Sequence, residues 1–229
     1  MSGLVLVLRP EPGASETARR ARLLGLESVT APLFAVRPLP WDAPDPGQFD
    51  AVLLTSANAA RLGGARLEAF LHLSCFAVGE ATAAAAASAG FSDVRTGPGD
   101  GAAAAAAMTG FRAVLHLCGR DHVAIDHPAI ERRIVYAADA AEDLPAEAAT
   151  ALRRGALALI HSPRAGSVFA GLVDRAGLDR GGIALAAVSA AAAVAAGPGW
   201  RAVAVAPRPR DEALLEVAAK LCNKAREAE

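Results

Sequence analysis

The sequence has few aromatic residues, few cysteines and almost no lysine. Aromatic residues make up 4% of its 229 residues, and it contains a single tyrosine. The three cysteines are too far apart for a CxxC metal site and too few for a disulfide framework, so we expect each to be a small buried residue. Only Lys220 and Lys224 are lysines among 23 basic residues. Arginine therefore supplies almost all the positive charge, and its planar guanidinium suits carboxylate or phosphate groups.

Long hydrophobic runs are also missing, and we expect no signal peptide. No apolar run approaches the roughly 20 residues that a membrane-spanning helix needs. A strand-like run begins at Leu4 with no basic segment or cleavage site before it. We therefore expect a cytoplasmic protein with no membrane partner. The net charge of −1 argues against a nucleic-acid partner. A monomer that acts on a small molecule is the expected form.

An internal repeat runs through the chain. LLTSANA at 53–59 returns as LIHSPRA at 159–165, and AVG at 77–79 returns as AVS at 187–189. A spacing near 108 residues exceeds the roughly 20 to 50 residues of solenoid repeats and equals the length of one small domain. The repeat predicts two similar lobes, with a cleft between them as the expected ligand site.

Short apolar runs alternate with helix-length segments, which predicts an α/β fold. The predicted strands are 4–8, 27–32, 51–55, 75–78, 93–96, 113–117, 133–137, 157–161, 183–188 and 201–206. Predicted helices include 14–24, 80–89, 165–176 and 211–225. The ten strands divide into two lobes, each a five-stranded parallel sheet flanked by helices.

Two segments interrupt this alternation and predict where the chain crosses between lobes. Residues 31–47 contain five prolines, and proline does not suit a central strand. Residues 137–145 are small and acidic. The order of the repeat units predicts a discontinuous lobe of residues 1–36 and 138–229, with residues 37–137 inserted as the second lobe. A tandem split near residue 110 is the alternative.

Hydrogen-bond donors follow several of the predicted strands. In open parallel sheets, ligands bind at the carboxyl ends of strands, where helix N-termini present unpaired N–H groups. The residues at these positions are Arg9, Thr55, Ser56, Asn58, Gly79, Thr82, Arg120, Ser162, Arg164 and Ser189. A ligand with several carboxylates would suit such donors. The alternative is that Ser56, Ser162 and Thr82 are ordinary N-caps.

Two further features could carry chemistry. Tyr136 lies at the end of a predicted strand that enters the second crossover, and its phenol could donate a proton to a leaving group. A half-buried tyrosine with no catalytic role is the alternative. The segment 97–102 (GPGDGA) fits a GxGxxA dinucleotide fingerprint, but GPGWRA at 197–202 also fits it in a context where it cannot work. We interpret 97–102 as a glycine-rich turn. The five histidines suggest no metal site.

Seven segments together carry a family resemblance. In chain order they are LRP (8–10), APLF (31–34), LTSANA (54–59), AVGEATA (77–83), GRD (119–121), VY (135–136) and HSPRA (161–165). This ordered set resembles the uroporphyrinogen-III synthase family. The resemblance implies two flavodoxin-like lobes joined by a two-stranded connection. It also implies an enzyme of tetrapyrrole synthesis that needs no metal or organic cofactor.

The same resemblance implies the reaction and some site residues. Family members convert linear hydroxymethylbilane to uroporphyrinogen III with loss of water and inversion of the last pyrrole ring, through a spiro intermediate. Tyr136 aligns with a tyrosine proposed to assist departure of the hydroxyl, and Ser56 and Thr82 align with cleft positions. The chain departs from some members at Ser189, which is followed by two alanines.

Two other functions remain open on sequence grounds. One is a non-catalytic bilobal module that binds a polyanionic small molecule, and the other is a nicotinamide-dependent oxidoreductase. Product analysis with hydroxymethylbilane separates the first from a synthase, and NADH binding tests the second.

Overall fold

The computed structural model describes residues 3–97, 103, 108 and 110–227. Their contacts divide the chain into two compact units. Unit 1 contains Met1–Ala35 and Asp139–Glu229, and unit 2 contains Val36–Ala138. The chain therefore passes from one unit to the other twice.

Strands and helices alternate along the described chain. The strands are β1 (Leu4–Val7), β2 (Glu27–Thr30), β3 (Phe34–Pro38), β4 (Ala51–Leu54), β5 (Ser74–Ala77), β6 (Val94–Thr96), β7 (Val114–Gly119), β8 (Ile130–Ala140), β9 (Leu157–Ile160), β10 (Ala184–Ala187) and β11 (Ala202–Val205). The α-helices are α1 (Gly13–Leu23), α2 (Ala57–Leu62), α3 (Glu80–Ala89), α4 (Ala146–Arg153), α5 (Pro163–Arg175), α6 (Ala190–Ala196) and α7 (Asp211–Glu227). In the part of the chain that the structure describes, no helix combines the length and apolarity that crossing a bilayer requires.

Unit 1 contains a five-stranded sheet in the order β11-β10-β9-β1-β2, and all its neighbouring strands are parallel. Its three central strands are fully buried, as expected for a parallel sheet that is covered on both faces. On one face Val5, Val7 and Leu159 pack against apolar residues of α1 and α7. Leu6 and Ile160 lie on the other face and are equally buried.

Unit 2 contains a sheet in the order β3-β8-β7-β4-β5-β6. Strands β4 to β8 are parallel. Alternate residues of β4 belong to two separate apolar clusters: Val52 and Leu54 pack on one face, and Ala51 and Leu53 on the other. Apolar side chains therefore cover both faces of this sheet.

This sheet corrects the expectation of five strands in each lobe. The additional strand is β3, which lies in the proline-rich segment where no strand was predicted. The backbone bonds Leu39 N–H to Val135 O and Ala141 N–H to Leu33 O, both 2.9 Å long, show that this segment runs antiparallel to β8. Proline is tolerated there because β3 is an edge strand and Pro38 is its last residue.

The two units have equivalent strand orders. In unit 1 the first strand, β1, lies between β2 and β9. In unit 2 the strand at the matching position of the repeat, β7, lies between β8 and β4. The sequence repeat thus corresponds to one strand arrangement that occurs in both units. The units differ in which of the equivalent strands comes first in the chain: β1 in unit 1, and β4 in unit 2. The mixed α/β architecture with parallel sheets flanked by helices is confirmed.

Candidate active site

In unit 2, the carboxyl ends of four neighbouring strands bring most of the predicted site residues to one edge of the sheet. Leu54, the last residue of β4, pairs with Ala77 of β5 and Leu117 of β7. On the other side of β7, Gly119 pairs with Tyr136 of β8. The residues that follow these positions are Thr55, Ser56, Asn58, Gly79, Thr82 and Arg120. Together with Tyr136, these six residues are all seven site residues that the sequence predicted in unit 2, and they lie at this edge.

Ser56 begins α2 and is a true N-cap. Its hydroxyl accepts a hydrogen bond from the backbone N–H of Asn58 at 3.2 Å, which satisfies one of the unpaired donors of the first turn. Neighbouring Thr55 forms a different contact, because its Oγ1 lies 3.0 Å from Nε2 of His116 on β7. The Ser56 hydroxyl thus bonds within its own helix, whereas the Thr55 hydroxyl bonds to a buried side chain of the sheet.

His116 is the buried titratable group of this edge. Its side chain is fully buried, and burial lowers its pKa to about 4, with electrostatic interactions with His122 and Arg132 acting in the same direction. His116 is therefore neutral at physiological pH. Its Nδ1 finds no hydrogen-bond partner within the described structure. The sequence pattern placed His116 in a strand without assigning it a role.

Gly79 and Thr82 differ from the expectation for a capped helix. Gly79, not Thr82, is the N-cap of α3, and it has no side chain that could cap the helix. Thr82 lies in the first turn, where its own backbone N–H donates to Gly79 O at 3.0 Å. The alternative that Thr82 is an ordinary N-cap is therefore wrong, and its side chain is buried. A Cβ at position 79 would meet no atom of the described residues within 4 Å, which leaves space among them around the first-turn amides.

Tyr136 lies within β8, not at the end of a strand as the sequence suggested. A β-bulge interrupts its pairing with β7: Cys118 pairs with Ile134, and the next residue, Gly119, pairs with Tyr136. The bulge lets Val135 and Tyr136 pack against the same apolar cluster, although consecutive strand residues normally face opposite sides. Tyr136 is half-buried. Its backbone carbonyl accepts a hydrogen bond from the N–H of Arg120 at 2.9 Å.

In unit 1, the carboxyl ends of β1, β9 and β10 carry the remaining predicted residues. Ser162 caps α5 by accepting a hydrogen bond from Ala165 N–H at 3.1 Å. Ser189 caps α6 in the same way through Ala192 N–H at 3.2 Å. The guanidinium of Arg164 stacks over the ring of Phe34 at 4.8 Å.

Arg9 lies against the start of α1 and is half-buried. An added Cβ on Gly13 would approach its guanidinium atoms to between 2.5 and 2.8 Å. Its Nη1 lies 3.7 Å from Oδ1 of Asp211, the first residue of α7. The predicted donor Arg9 is therefore also part of an ion pair within unit 1.

Asp211 is the centre of a buried polar cluster that the sequence analysis missed. Thr17 Oγ1 donates to its Oδ1 at 2.8 Å, and Arg20 Nη1 donates to its Oδ2 at 2.8 Å. His161 Nε2 lies 3.0 Å from Oδ1. The side chains of Asp211 and His161 are only 8% and 10% exposed, so these contacts are shielded from water.

Burial and hydrogen bonding have opposite effects on the pKa values of Asp211 and His161. Burial by itself would raise the pKa of Asp211, but hydrogen bonds from His161, Arg20 and Thr17 together hold that pKa well below its usual range. Burial lowers the pKa of His161, and its hydrogen bond to Asp211 only partly offsets this effect. Asp211 is therefore a buried, charged carboxylate held by the buried Thr17 and His161 and the partly exposed Arg20, at the same edge of the sheet as Arg9.

The described residues contain no group of three or more histidines, cysteines, aspartates or glutamates that could hold a metal ion. All three cysteines are buried and unpaired, as the sequence indicated. Residues 98–102 of the glycine-rich turn lie outside the described residues.

Comparison with known proteins identifies the family to which the chain belongs. The family model described as "Uroporphyrinogen-III synthase HemD" matches residues 15–216. This chain belongs to the uroporphyrinogen-III synthase family. The matched range includes every predicted site residue except Arg9. It also includes Asp211 and its partners Thr17, Arg20 and His161. No curated protein matches the sequence.

Two solved structures of the family are similar to the chain. A uroporphyrinogen-III synthetase from Helicobacter pylori superposes with a TM-score of 0.65 at 18% identity, covering 96% of this chain and 100% of the other. A mutant uroporphyrinogen III synthase from the extremely thermophilic bacterium Thermus thermophilus has a TM-score of 0.56 at 17% identity, covering 98% and 100%. At such identities the structural likeness supports the fold, while membership of the uroporphyrinogen-III synthase family follows from the family model.

Proposed function

We propose that this protein converts hydroxymethylbilane to uroporphyrinogen III, with loss of water and inversion of the last pyrrole ring. The observation that carries the proposal is the match to the uroporphyrinogen-III synthase family over residues 15–216. The carboxyl edges of both sheets agree with it, because they bear amides, hydroxyls and arginines suited to the acetate and propionate groups of such a substrate.

The donors at these edges bind the substrate in this proposal. Arg9, Arg120 and Arg164 offer positive charge, and guanidinium groups pair well with carboxylates. The open space at Gly79 lets a carboxylate approach the first turn of α3, where unpaired N–H groups and the helix dipole favour an anion. Thr55, Ser56, Asn58, Thr82, Ser162 and Ser189 supply further polar groups. No metal or organic cofactor is required for these contacts.

Tyr136 acts as the proton donor for the leaving hydroxyl. An unperturbed phenol has a pKa of about 10 and is therefore protonated at neutral pH. The C–O bond of the hydroxymethyl group breaks, its electron pair goes to oxygen, and the phenol proton completes a water molecule. The substituted carbon of the last ring then attacks the resulting cationic carbon to form a spiro intermediate. Rearrangement and loss of one proton complete the macrocycle, and that proton can return to the phenolate.

The site directs the reaction mainly by holding the substrate. Once water has left, attack by the unsubstituted carbon of the last ring would give the un-inverted isomer without help. Binding that places the substituted carbon closer to the cationic carbon therefore determines the product. This reasoning explains why many binding groups and a single proton donor are sufficient.

We further propose that the two units are flavodoxin-like lobes, residues 1–36 with 138–229 and residues 37–137. The unit 1 order β2-β1-β9-β10-β11 supports this assignment, because numbered within the unit it reads 2-1-3-4-5, the flavodoxin order. The unit 2 order β8-β7-β4-β5-β6 is the same arrangement with a permuted chain. A cytoplasmic monomer is the proposed working form.

The test supplies purified protein with hydroxymethylbilane and identifies the uroporphyrin isomers after oxidation. We expect mainly the III isomer, formed at a rate proportional to protein concentration. If only the I isomer appears, at the rate of the protein-free control, catalysis is excluded. Binding of hydroxymethylbilane, detected by quenching of tryptophan fluorescence, would in that case favour a non-catalytic binding module.

A further inference from the structure

The ring of Tyr136 lies directly over the backbone of Gly119. A Cβ built on Gly119 would be 2.6 Å from Cζ, 2.8 Å from the hydroxyl oxygen and 2.9 Å from Cε2 of Tyr136. Unbonded carbon atoms normally approach to about 3.5 Å. The hydroxyl end of the ring therefore occupies the space that any side chain at position 119 would need.

The backbone conformation of Gly119 gives no other reason for glycine. Gly119 is not among the glycines with positive φ, so alanine could adopt the same backbone there. Neighbouring bonds also fix the strand, because Arg120 N–H donates to Tyr136 O at 2.9 Å and Gly119 O lies 3.0 Å from Nδ1 of His122. An added methyl group would consequently displace the ring and leave the strand in place.

We infer that Gly119 is a positioning residue for the phenol of Tyr136. Its missing side chain leaves the space that the ring occupies at the end of β7, and the bulge at Cys118 and Gly119 places Tyr136 opposite Gly119. The inference rests on the proposed function, in which this phenol protonates the leaving hydroxyl. It adds a residue that acts through Tyr136.

The expected effect of Gly119→Ala follows from the distances. Restoring normal contacts requires the ring to move by roughly 1 Å. A misplacement of this size can reduce a rate by about 100-fold. We expect kcat to fall between about 10-fold and 100-fold, while KM changes by less than about twofold because the carboxylate-binding residues are untouched. Gly182→Ala is the matched control, since a Cβ there meets no atom within 4 Å in the part of the chain that the structure describes, and its φ is not positive.

A double-mutant cycle separates positioning from a general structural effect. Tyr136→Phe keeps the ring and removes its proton, so Gly119→Ala should cause no further loss of kcat in that background. Equal losses of kcat in both backgrounds would overturn the inference, as would normal turnover of Gly119→Ala. If Gly119→Ala does not fold, removal of the ring in the double variant Gly119→Ala/Tyr136→Ala should restore folding. A double variant that also fails to fold would overturn the inference.

The single tyrosine provides a readout that does not depend on activity. Protein labelled with 3-fluorotyrosine carries its fluorine only at position 136. Gly119→Ala should shift its ¹⁹F NMR resonance, and Gly182→Ala should leave the resonance unchanged. An unchanged resonance in Gly119→Ala overturns the contact. If wild-type protein makes no uroporphyrinogen III, the proposed function fails, while the NMR comparison still decides whether Gly119 positions Tyr136.

Discussion

Nε2 of His161 lies 3.0 Å from Oδ1 of Asp211, and the two side chains are almost completely buried. His161 follows β9, and Asp211 begins α7, 50 positions later. The same carboxylate binds Thr17 and Arg20 of α1. Asp211 thus ties three elements of unit 1 together at the carboxyl edge of its sheet, next to the predicted substrate donor Arg9.

We predict that Asp211→Asn destabilises the protein by about 2 kcal/mol, because it removes the charge from a buried carboxylate that accepts hydrogen bonds from Thr17, Arg20 and His161. The adjacent Glu212 is the control: it pairs with Arg20 at 3.3 Å but is 61% exposed. Glu212→Gln should cost less than about 1 kcal/mol. Urea unfolding of both variants measures the difference. Equal losses would show that the buried cluster adds nothing beyond a surface ion pair.

The buried, neutral His116 predicts a loss of stability in mild acid. Its pKa is about 4 in the folded protein, below the ordinary value of 6.5. Between these values the unfolded chain binds more protons, so the stabilisation from neutral His116 is complete above pH 6.5 and decreases as pH falls towards 4. From pH 7 to pH 5 we expect this histidine to account for a loss of about 2 kcal/mol.

His116→Gln tests this pH dependence, since glutamine does not titrate and can still bond to Thr55. The variant should lose less stability than wild type between pH 7 and pH 5 in urea unfolding. His161 also has a lowered pKa and acts in the same direction, so the comparison between proteins isolates His116. The exposed His72 is the control residue. An unchanged pH dependence in His116→Gln, equal to that of His72→Gln, would contradict the account.

Two glycines of α5 should respond oppositely to alanine. A Cβ on Gly166 would lie 2.6 Å from Ala192 O and 3.0 Å from Ala196 N, backbone atoms of α6 that cannot easily move. Gly166→Ala should therefore destabilise the protein by about 2 kcal/mol. Among the described residues, a Cβ on Gly171 would meet only Nη1 of Arg175, at 3.4 Å, so Gly171→Ala should stabilise the protein by up to about 1 kcal/mol. Thermal unfolding measures both changes, and a stabilised Gly166→Ala would disprove the close packing of α5 and α6.

Arg120→Ala should weaken substrate binding and have little effect on the choice of isomer. Loss of one charged contact to a carboxylate corresponds to about a tenfold rise in KM. Arg153, exposed in the last turn of α4 shortly before the start of β9, is the control. Steady-state kinetics with hydroxymethylbilane gives KM, and chromatography gives the isomers. Lower isomer fidelity with an unchanged KM would remove Arg120 from substrate binding.

Local sequence patterns predicted much of the fold. Every predicted strand overlaps an observed one, because buried parallel strands appear as short apolar runs that periodicity detects well. The strand β3 was missed, since prolines normally exclude central strands and the sequence does not reveal an edge position in advance. The internal repeat indicated two similar sheets but not the sixth strand of unit 2.

Part of the candidate site could also be predicted from the positions of the strands. Residues that follow strands share one edge of a parallel sheet, so Thr55, Gly79 and Arg120 could be grouped without a structure. The Asp211 cluster could not, because its members come from distant segments and neither Thr17 nor Arg20 follows a strand. The contact between Gly119 and Tyr136 depends on a bulge, which shifts the pairing by one residue and leaves no clear pattern in the sequence.

The most direct test of the central claim is the isomer composition formed from hydroxymethylbilane by the wild-type protein. The account predicts that the III isomer predominates and that its share rises with protein concentration, as enzymatic closure outpaces spontaneous closure. An isomer I fraction equal to that of the protein-free reaction at every protein concentration would contradict it.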